Sequence, residues 1–179
     1  MPLDLDRRHL LGLGLAAAAT TVLAPARPWA ATADRSLSFF NTHTRETLTA
    51  TYWRNGTIDR GALHDVNFIL RDFRANEVFP IDVKLLDLLS ELHQRTGTRQ
   101  PFQIISGYRS PKTNAMLAAE SNGVATRSLH MDGKAIDIRL ADVELGRLHA
   151  TAVAMKLGGV GMYPQSNFVH VDTGRVRYW

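Results

Sequence analysis

Apolar and polar residues alternate along several stretches of this chain, which is the spacing of a half-buried β-strand. The alternation runs through residues 37–52 and is followed by a turn sequence at 54–57, so we predict a hairpin or two short strands there. Shorter runs at 102–107 and 168–172 predict further strands, and the glycine-rich run at 157–163 predicts a strand or a turn. These segments together predict a sheet of short strands.

Other apolar residues recur every three or four positions, which indicates amphipathic helices. This spacing predicts helices at 59–73 and 142–155, and a shorter helix at 112–119. The strongest pattern lies at 82–96, where leucines supply a broad apolar face and Gly97 provides a natural stop. The chain therefore interleaves helices with its strands.

The first 33 residues differ in composition from the rest of the chain. Arg7 and Arg8 precede an alanine- and leucine-rich run that ends near Ala24, and a small-residue cleavage signal follows at 31–33. We therefore predict an export signal over residues 1–33, and the paired arginines favour the twin-arginine route over an ordinary secretory peptide. The apolar run is shorter than the about 20 residues of a membrane span, so we expect cleavage and no membrane anchor.

The length and composition of residues 34–179 limit the kinds of domain and of functional site that they can form. They suffice for one domain with its own core, and we expect a monomer. The absence of cysteine excludes disulfides, thiolate metal sites and cysteine nucleophiles. The formal net charge of the chain is +4, but lysine and arginine are not clustered into a stripe, so we expect no nucleic-acid partner.

A candidate metal site comes from two separate segments. Asp132 and Gly133 lie between alternating flanks and predict a two-residue hairpin turn, which would make His130 and Asp137 diagonal neighbours on one face. His170 lies on the later alternating strand. Two imidazoles and one carboxylate form an established ligand set for a catalytic zinc with one position open to water. We therefore predict that His130, Asp137 and His170 bind one zinc ion.

Neighbouring residues fit this interpretation in different ways. Asp172 shares a strand face with His170 and could orient that ligand or relay a proton. The glycines within 157–163 lack the pattern of a phosphate-binding loop, so we expect them to allow close backbone approach beside the site. His43 and His64 have no third partner at a suitable spacing, and we interpret both as structural.

Three motifs follow one another along the chain: S-G-Y-R-S at 106–110, S-x-H-x-x-G-x-A-x-D at 128–137 and F-V-H-V-D-T-G at 168–174. With these motifs the chain, from about residue 37 to residue 179, resembles the M15-class zinc peptidases that cut bacterial cell wall. It is most similar to their murein endopeptidase K branch, also called the DUF882 or YcbK-like group. The resemblance implies an α+β fold with helices packed on a small antiparallel sheet, like the hedgehog N-terminal domain and the D-Ala-D-Ala peptidases.

The same resemblance implies roles for individual residues. His130, Asp137 and His170 would be the ligands of the zinc ion. Arg109 would pair with a substrate carboxylate or with the oxyanion as charge develops. Ser128 would help to hold the substrate or the loop.

The general base is the point at which the chain departs from the wider class. Several members carry a glutamate three residues before the last ligand, in the motif E-x-x-H, where this chain has Asn167. Because an amide cannot accept the proton from water, Asp172 is the first candidate for the base and His149 the second. In a third alternative, the activated water needs no strong base.

The resemblance therefore implies an exported, periplasmic, zinc-dependent endopeptidase that hydrolyses the peptide cross-links of peptidoglycan. One alternative is a D,D- or L,D-carboxypeptidase of the same fold. Another is a catalytically weak or inactive peptidoglycan-binding module that keeps its metal as a structural element. The absence of the E-x-x-H glutamate is compatible with this last alternative.

Overall fold

The computed structural model describes residues 33–120 and 125–179. The predicted export signal at 1–33 lies outside the described residues except for Ala33, and it stays a prediction. In the described part of the chain, no helix is long and apolar enough to cross a membrane. The elements in chain order are β1 (Arg35–Asn41), β2 (Thr47–Arg54), β3 (Thr57–Ile58), α1 (Arg60–Ile69), α2 (Val83–Thr96), β4 (Phe102–Ser106), α3 (Pro111–Glu120), a 3-10 helix (Leu129–Asp132), β5 (Ala135–Arg139), α4 (Leu145–Met155), β6 (Gly159–Tyr163), β7 (Phe168–Asp172) and β8 (Arg177–Tyr178).

The strands of the described residues form one eight-stranded sheet in the order β3-β2-β1-β4-β5-β7-β6-β8. β1 pairs with β4 in parallel, as β6 does with β8, whereas the other neighbours are antiparallel. The predicted α+β class is confirmed, but the sheet is larger than predicted and mixed. A parallel crossover needs a long connection, and the connection from β1 to β4, which contains α1 and α2, is long enough for one.

The apolar core lies on one face of the sheet. Ile136 and Ile138 of β5, and Val169 and Val171 of β7, are fully buried members of a single hydrophobic cluster. The helices α2 and α4 contact each other, and α4 contacts β6 and β7. Because side chains alternate along a strand, the residues between these, Asp137 among them, face the other side of the sheet.

The helix predicted at 82–96 is confirmed as α2. Asp82 caps its start by accepting a hydrogen bond from the backbone N–H of Lys84, and Gly97 ends it in the left-handed conformation. The apolar face of this helix supplies fully buried leucines to the core: Leu85, Leu86, Leu89 and Leu92. The sequence pattern and the caps therefore agree on both ends of α2.

Two other helices are shorter than predicted. α1 ends at Ile69 because the carboxylate of Asp72 accepts hydrogen bonds from the backbone N–H groups of Arg74 and Ala75, which form a turn instead. α4 begins later than predicted because Glu144 caps it. In both cases a side chain bonded to nearby backbone sets the boundary, and apolar spacing does not detect such bonds.

Most of β1 and β2 lies within the segment at 37–52, so its two strands are confirmed, although β1 begins at Arg35 and β2 ends at Arg54. Their hairpin turn, however, lies between Asn41 and Thr47, and the turn predicted at 54–57 joins β2 to β3 instead. β8 is not predicted by the pattern because two residues are too few to show a period.

The hairpin predicted around Asp132 and Gly133 is wrong. Ser128 accepts a hydrogen bond from the backbone N–H of His130 and starts a 3-10 helix, which Gly133 ends in the left-handed conformation with a φ of 64°. The carbonyl of Gly133 accepts a hydrogen bond from the backbone N–H of Asp82, so this turn packs against the start of α2. A contact distant in sequence therefore replaces the predicted strand pairing.

We expect Gly133→Ala to destabilise the fold more than Gly97→Ala. Both glycines have a positive φ, but a Cβ at Gly133 would collide with the backbone oxygen of Pro80, whereas the space at Gly97 is open. The left-handed backbone should cost about 1 kcal/mol at either site, and overpacking should add about 1–3 kcal/mol at Gly133. Denaturant unfolding measures both, and equal losses would contradict the packing argument.

Candidate metal centre

Four neighbouring strands each contribute one residue to a row across the sheet. In the register of the sheet, Ser106 of β4 pairs with Asp137 of β5, Asp137 pairs with His170 of β7, and His170 pairs with Gly161 of β6. His130 reaches the same place from the 3-10 helix that precedes β5. Asp137 and His170 thus meet as directly opposed strand residues.

Three side chains converge at the centre of this row. His170 Nδ1 lies 2.8 Å from Asp137 Oδ1, His130 Nε2 lies 3.3 Å from the same oxygen, and the two nitrogens are 3.3 Å apart. The ligand atoms of the three residues all lie within 4.8 Å of one another, and the residues are buried. Separations of this size suit atoms that share one cation at about 2 Å.

The other nitrogen of each imidazole is held by a fixed partner. His130 Nδ1 lies 2.7 Å from the carbonyl oxygen of Gly107, which only accepts, so Nδ1 donates to it and Nε2 is the ring nitrogen that faces the cluster. His170 Nε2 lies 3.0 Å from Asp172 Oδ2 and donates to it. Histidine ligands of metals are oriented in this way, so the donor set fits a zinc ion.

Asp172 is fully buried behind His170. Besides the bond from His170, its carboxylate accepts hydrogen bonds from the backbone N–H groups of Gly159 and Gly174 and from both terminal nitrogens of Arg177. Asp172 is absent from the described lining of the adjacent cavity. These bonds suit a residue that orients His170 better than one that meets a water.

The electrostatics of the cluster favour a positive charge. Burial lowers the pKa of His170, but hydrogen bonds to Asp137 and Asp172 outweigh burial and raise the pKa to about 9. Burial raises the pKa of Asp137, yet the two histidines hold it well below its usual range. A positive charge is therefore favoured between these groups, and a metal ion would take the place of the proton.

The cluster lies in a cavity of about 370 Å³. Its lining combines positive charge with aromatic rings, and its described residues are Arg109, Ala125, Arg127, Ser128, Leu129, His130, Asp137, Tyr163, Ser166, Phe168, His170, Arg177 and Trp179. Among these, Asp137 is the only acidic side chain. The cavity therefore suits a ligand with carboxylate groups and an apolar part.

Arg109 and Ser128, both predicted to bind substrate, line this cavity. Arg109 Nη2 lies 3.7 Å from Asp137 Oδ2, its bonds to Asn114 and Ser106 are long at 3.4 Å, and its buried Nε has no hydrogen-bond partner among the described residues. Burial lowers the pKa of Arg109. Its guanidinium thus retains donors for a ligand, whereas Ser128 Oγ accepts from the backbone of His130.

Other predicted candidates lie elsewhere. Asn167, at the position of the E-x-x-H glutamate, has a left-handed φ of 52° in the turn after β6, and neither it nor His149 is among the described lining residues. His43 Nε2 donates to the carbonyl of Ile105, and His64 is exposed on α1. None of these side chains reaches the cluster.

The glycine-rich run has the predicted role of allowing close approach. A Cβ at Gly159 would collide with the side chain of Arg177, and one at Gly161 would lie 2.5 Å from the ring of Trp179. Sequence reasoning missed Trp179 and Tyr163 as lining residues. Glycines at alternate positions of a strand were the available signal, because they leave one face of the strand bare for another side chain.

Comparisons with known proteins identify relatives of this chain. The model of an M15 peptidase family described as peptidoglycan L,D-endopeptidase MepK matches residues 29–179. The peptidoglycan L,D-endopeptidase MepK of Escherichia coli strain K12 is 42% identical over 178 residues, which are 98% of this chain and 98% of that protein. The probable peptidoglycan L,D-endopeptidase MepK of Haemophilus influenzae is 40% identical over 146 residues, which are 81% of this chain and 78% of that protein.

No solved structure gives a significant match, so the likeness to the hedgehog domain and the D-Ala-D-Ala peptidases stays a prediction. The family match covers most of the chain and includes all three residues of the cluster. The chain therefore belongs to the M15 peptidases, in the family of peptidoglycan L,D-endopeptidase MepK.

Proposed function

We propose that this chain is a zinc peptidase that hydrolyses peptide cross-links of peptidoglycan, at the L,D bonds named for its relatives. One observation carries the proposal: His130 Nε2, His170 Nδ1 and a carboxylate oxygen of Asp137 converge at the wall of a cavity large enough for a peptide segment. The three residues are buried, and both imidazoles are oriented by hydrogen bonds. Polar side chains that meet by chance on a protein surface show neither property.

His130, Asp137 and His170 would hold one zinc ion. When bound, the ion would supply a Lewis acid that polarises the scissile carbonyl and lowers the pKa of a water to about 7. Arg109, with unused donors beside Asp137, would bind a substrate carboxylate or the developing oxyanion. Ser128 would hold the 3-10 helix that carries His130, since its hydroxyl caps that helix.

Asp172 would act as a positioning residue rather than as the general base. Its carboxylate is buried and already accepts bonds from His170, Arg177 and two backbone N–H groups. The described lining of the cavity offers no acid besides Asp137, and His149 does not reach it. These observations favour the alternative in which no strong side-chain base is needed.

The cellular setting is part of the same proposal. Peptidoglycan lies outside the cytoplasm, so the enzyme would be exported to the periplasm by the signal at 1–33. The paired arginines Arg7 and Arg8 are the reason for proposing the twin-arginine route. Arg109, Arg127 and Arg177 give the cavity a positive character that suits a substrate with free carboxylates. A single domain of this size would act as a monomer.

Two muropeptide dimers that differ only in the cross-link, one L,D and the other D,D, test this function. We expect the purified protein to cleave the L,D dimer, a chelator to lower the rate by about 100-fold or more, and added zinc to restore it. Mass spectrometry of the products identifies the bond that is cut.

Each other result excludes the proposal in a distinct way. Binding of the dimer without cleavage, despite stoichiometric zinc, would indicate a peptidoglycan-binding module. Release of a terminal amino acid with the cross-link intact would indicate a carboxypeptidase. Cleavage that a chelator leaves unchanged would exclude the metal.

A further inference from the structure

Trp179 is half-exposed and lines the cavity beside the metal ligands. Its backbone N–H donates to the carbonyl of Val160 and its carbonyl accepts from Met162, which continues the pairing of β8 with β6. Its indole occupies the space above Gly161, and its ring centroid lies 5.3 Å from that of His170. The indole is therefore held in place by backbone contacts and by the missing side chain at Gly161.

The indole N–H of Trp179 donates a hydrogen bond to the hydroxyl of Tyr163. Nε1 lies 2.8 Å from the hydroxyl oxygen of Tyr163, and indole nitrogen can only donate. Tyr163 must therefore accept this bond. Its ring is fixed as well, because it stacks on Phe168, its cross-strand partner, with centroids 4.5 Å apart and an angle of 18° between the planes.

The proton of the Tyr163 hydroxyl is left for another acceptor. Within 33–120 and 125–179, Trp179 is the only hydrogen-bond partner of the phenol, and Tyr163 lines the cavity. A phenol that accepts from a neutral donor becomes a better donor itself, because hydrogen bonds in a chain polarise one another. The tyrosine thus keeps an O–H donor that is free for a ligand in the cavity that it lines.

Tyr163 and Arg109 both contribute donors to this cavity. Both side chains line the cavity, and the ligand cluster borders the same space. Tyr163 lies on the same strand face as Gly161, which pairs with His170. A peptide carbonyl placed at the cluster would therefore have a phenol within the same enclosure.

We propose that Tyr163 is a further catalytic residue, whose hydroxyl donates a hydrogen bond to the carbonyl oxygen of the scissile peptide as negative charge develops there, and that Trp179 positions it. This inference rests on the proposed peptidase function. The proton stays on the phenol throughout, so the bond strengthens in the transition state and relaxes afterwards, and no proton transfer is required. The chain thereby gains a neutral electrostatic stabiliser in addition to Arg109.

Tyr163→Phe removes this donor and keeps the ring that stacks on Phe168. Loss of one such donor costs about 10²–10³ in kcat where it acts nearly alone, and we expect about 10- to 100-fold here because Arg109 shares the charge. KM should stay within about threefold, since the bond is strongest in the transition state. The zinc content and the melting temperature should not change.

Trp179→Phe tests the positioning role. It keeps an aromatic wall but removes the N–H, so we expect kcat to fall by about three- to tenfold through a misdirected phenol. In the Tyr163→Phe background the same change should have no further effect, because there is no hydroxyl left to orient. The matched control is Tyr178→Phe, which removes a hydroxyl bonded to the carbonyl of Val153 outside the cavity and should leave kcat unchanged.

The results separate this inference from the function on which it rests. A kcat for Tyr163→Phe within twofold of wild type, a rise in KM alone, or a loss of zinc in parallel would overturn the catalytic role while wild-type cleavage stands. Additive losses in the double variant would overturn the role of Trp179. A wild-type protein that cleaves no cross-link would contradict both the function and the inference.

Discussion

His130→Ala should abolish zinc binding and peptide hydrolysis together. The imidazole supplies one of three ligand atoms, and among the described residues the cluster contains no fourth His, Asp or Glu that could replace it. Two remaining ligands are fewer than the three protein ligands of catalytic zinc sites. We expect less than a tenth of an equivalent of zinc by metal analysis, and a rate at least about 10³-fold below wild type because the metal supplies several kcal/mol of transition-state stabilisation.

The matched control is His64→Ala. This histidine is exposed on α1 and, within the part of the chain that the structure describes, pairs only with its neighbour Asp65, so its removal should leave zinc content and rate unchanged. Retained zinc with lost hydrolysis in His130→Ala would mean that His130 acts on the substrate and not on the metal. Retention of both would remove the basis of the proposed function.

The convergence of His130 with Asp137 was predictable, whereas its geometry was not. A short separation with a glycine between the two residues indicates that the chain turns back, and both the predicted hairpin and the observed 3-10 helix satisfy that condition. The choice between them depends on Ser128, which caps the helix, and on the contact of Gly133 with Pro80. That contact is distant in sequence, and local periodicity contains no information on it.

The strand that carries His170 shows the opposite case. Alternation at 168–172 predicts β7 with its actual bounds and places His170 and Asp172 on one face, away from Val169 and Val171. Burial on one side imposes a period of two, so local sequence determines the facing of the strand. The pairing of His170 with Asp137 was beyond reach, because the order of strands in a sheet depends on all connections at once.

Tyr163 and Trp179 show a further limit. Neither belongs to a motif that names a chemistry, and their hydrogen bond joins β6 to the residue after β8, an element too short to predict. The bare face of β6 at Gly159 and Gly161 indicates only that something lies above it. Identifying the indole requires the structure, since the position of Trp179 follows from the parallel pairing of β8.

Asp172→Asn should weaken zinc binding and leave catalysis intact once zinc is saturating. The carboxylate accepts from His170 Nε2 with one oxygen and from backbone N–H groups with the other, and an amide cannot accept on both sides. Loss of such an orienting partner costs about 10- to 100-fold in metal affinity. We expect that loss in a competition titration with a chelator, and a kcat within about threefold of wild type at saturating zinc.

The same variant decides between the two roles that the sequence allows for Asp172. A general base acts after the metal is bound, so Asp172→Asn would then keep its zinc and remain inactive at any zinc concentration. A positioning residue acts on His170, so added zinc would restore the rate. Asp142→Asn is the matched control, because Asp142 accepts from Thr98 outside the described lining of the cavity, and neither affinity nor rate should change there. Denaturant unfolding of the variant, measured alongside, separates both roles from a loss of stability. Arg177 loses its charged partner in this variant, but its side chain is one-third exposed, so its guanidinium keeps access to water.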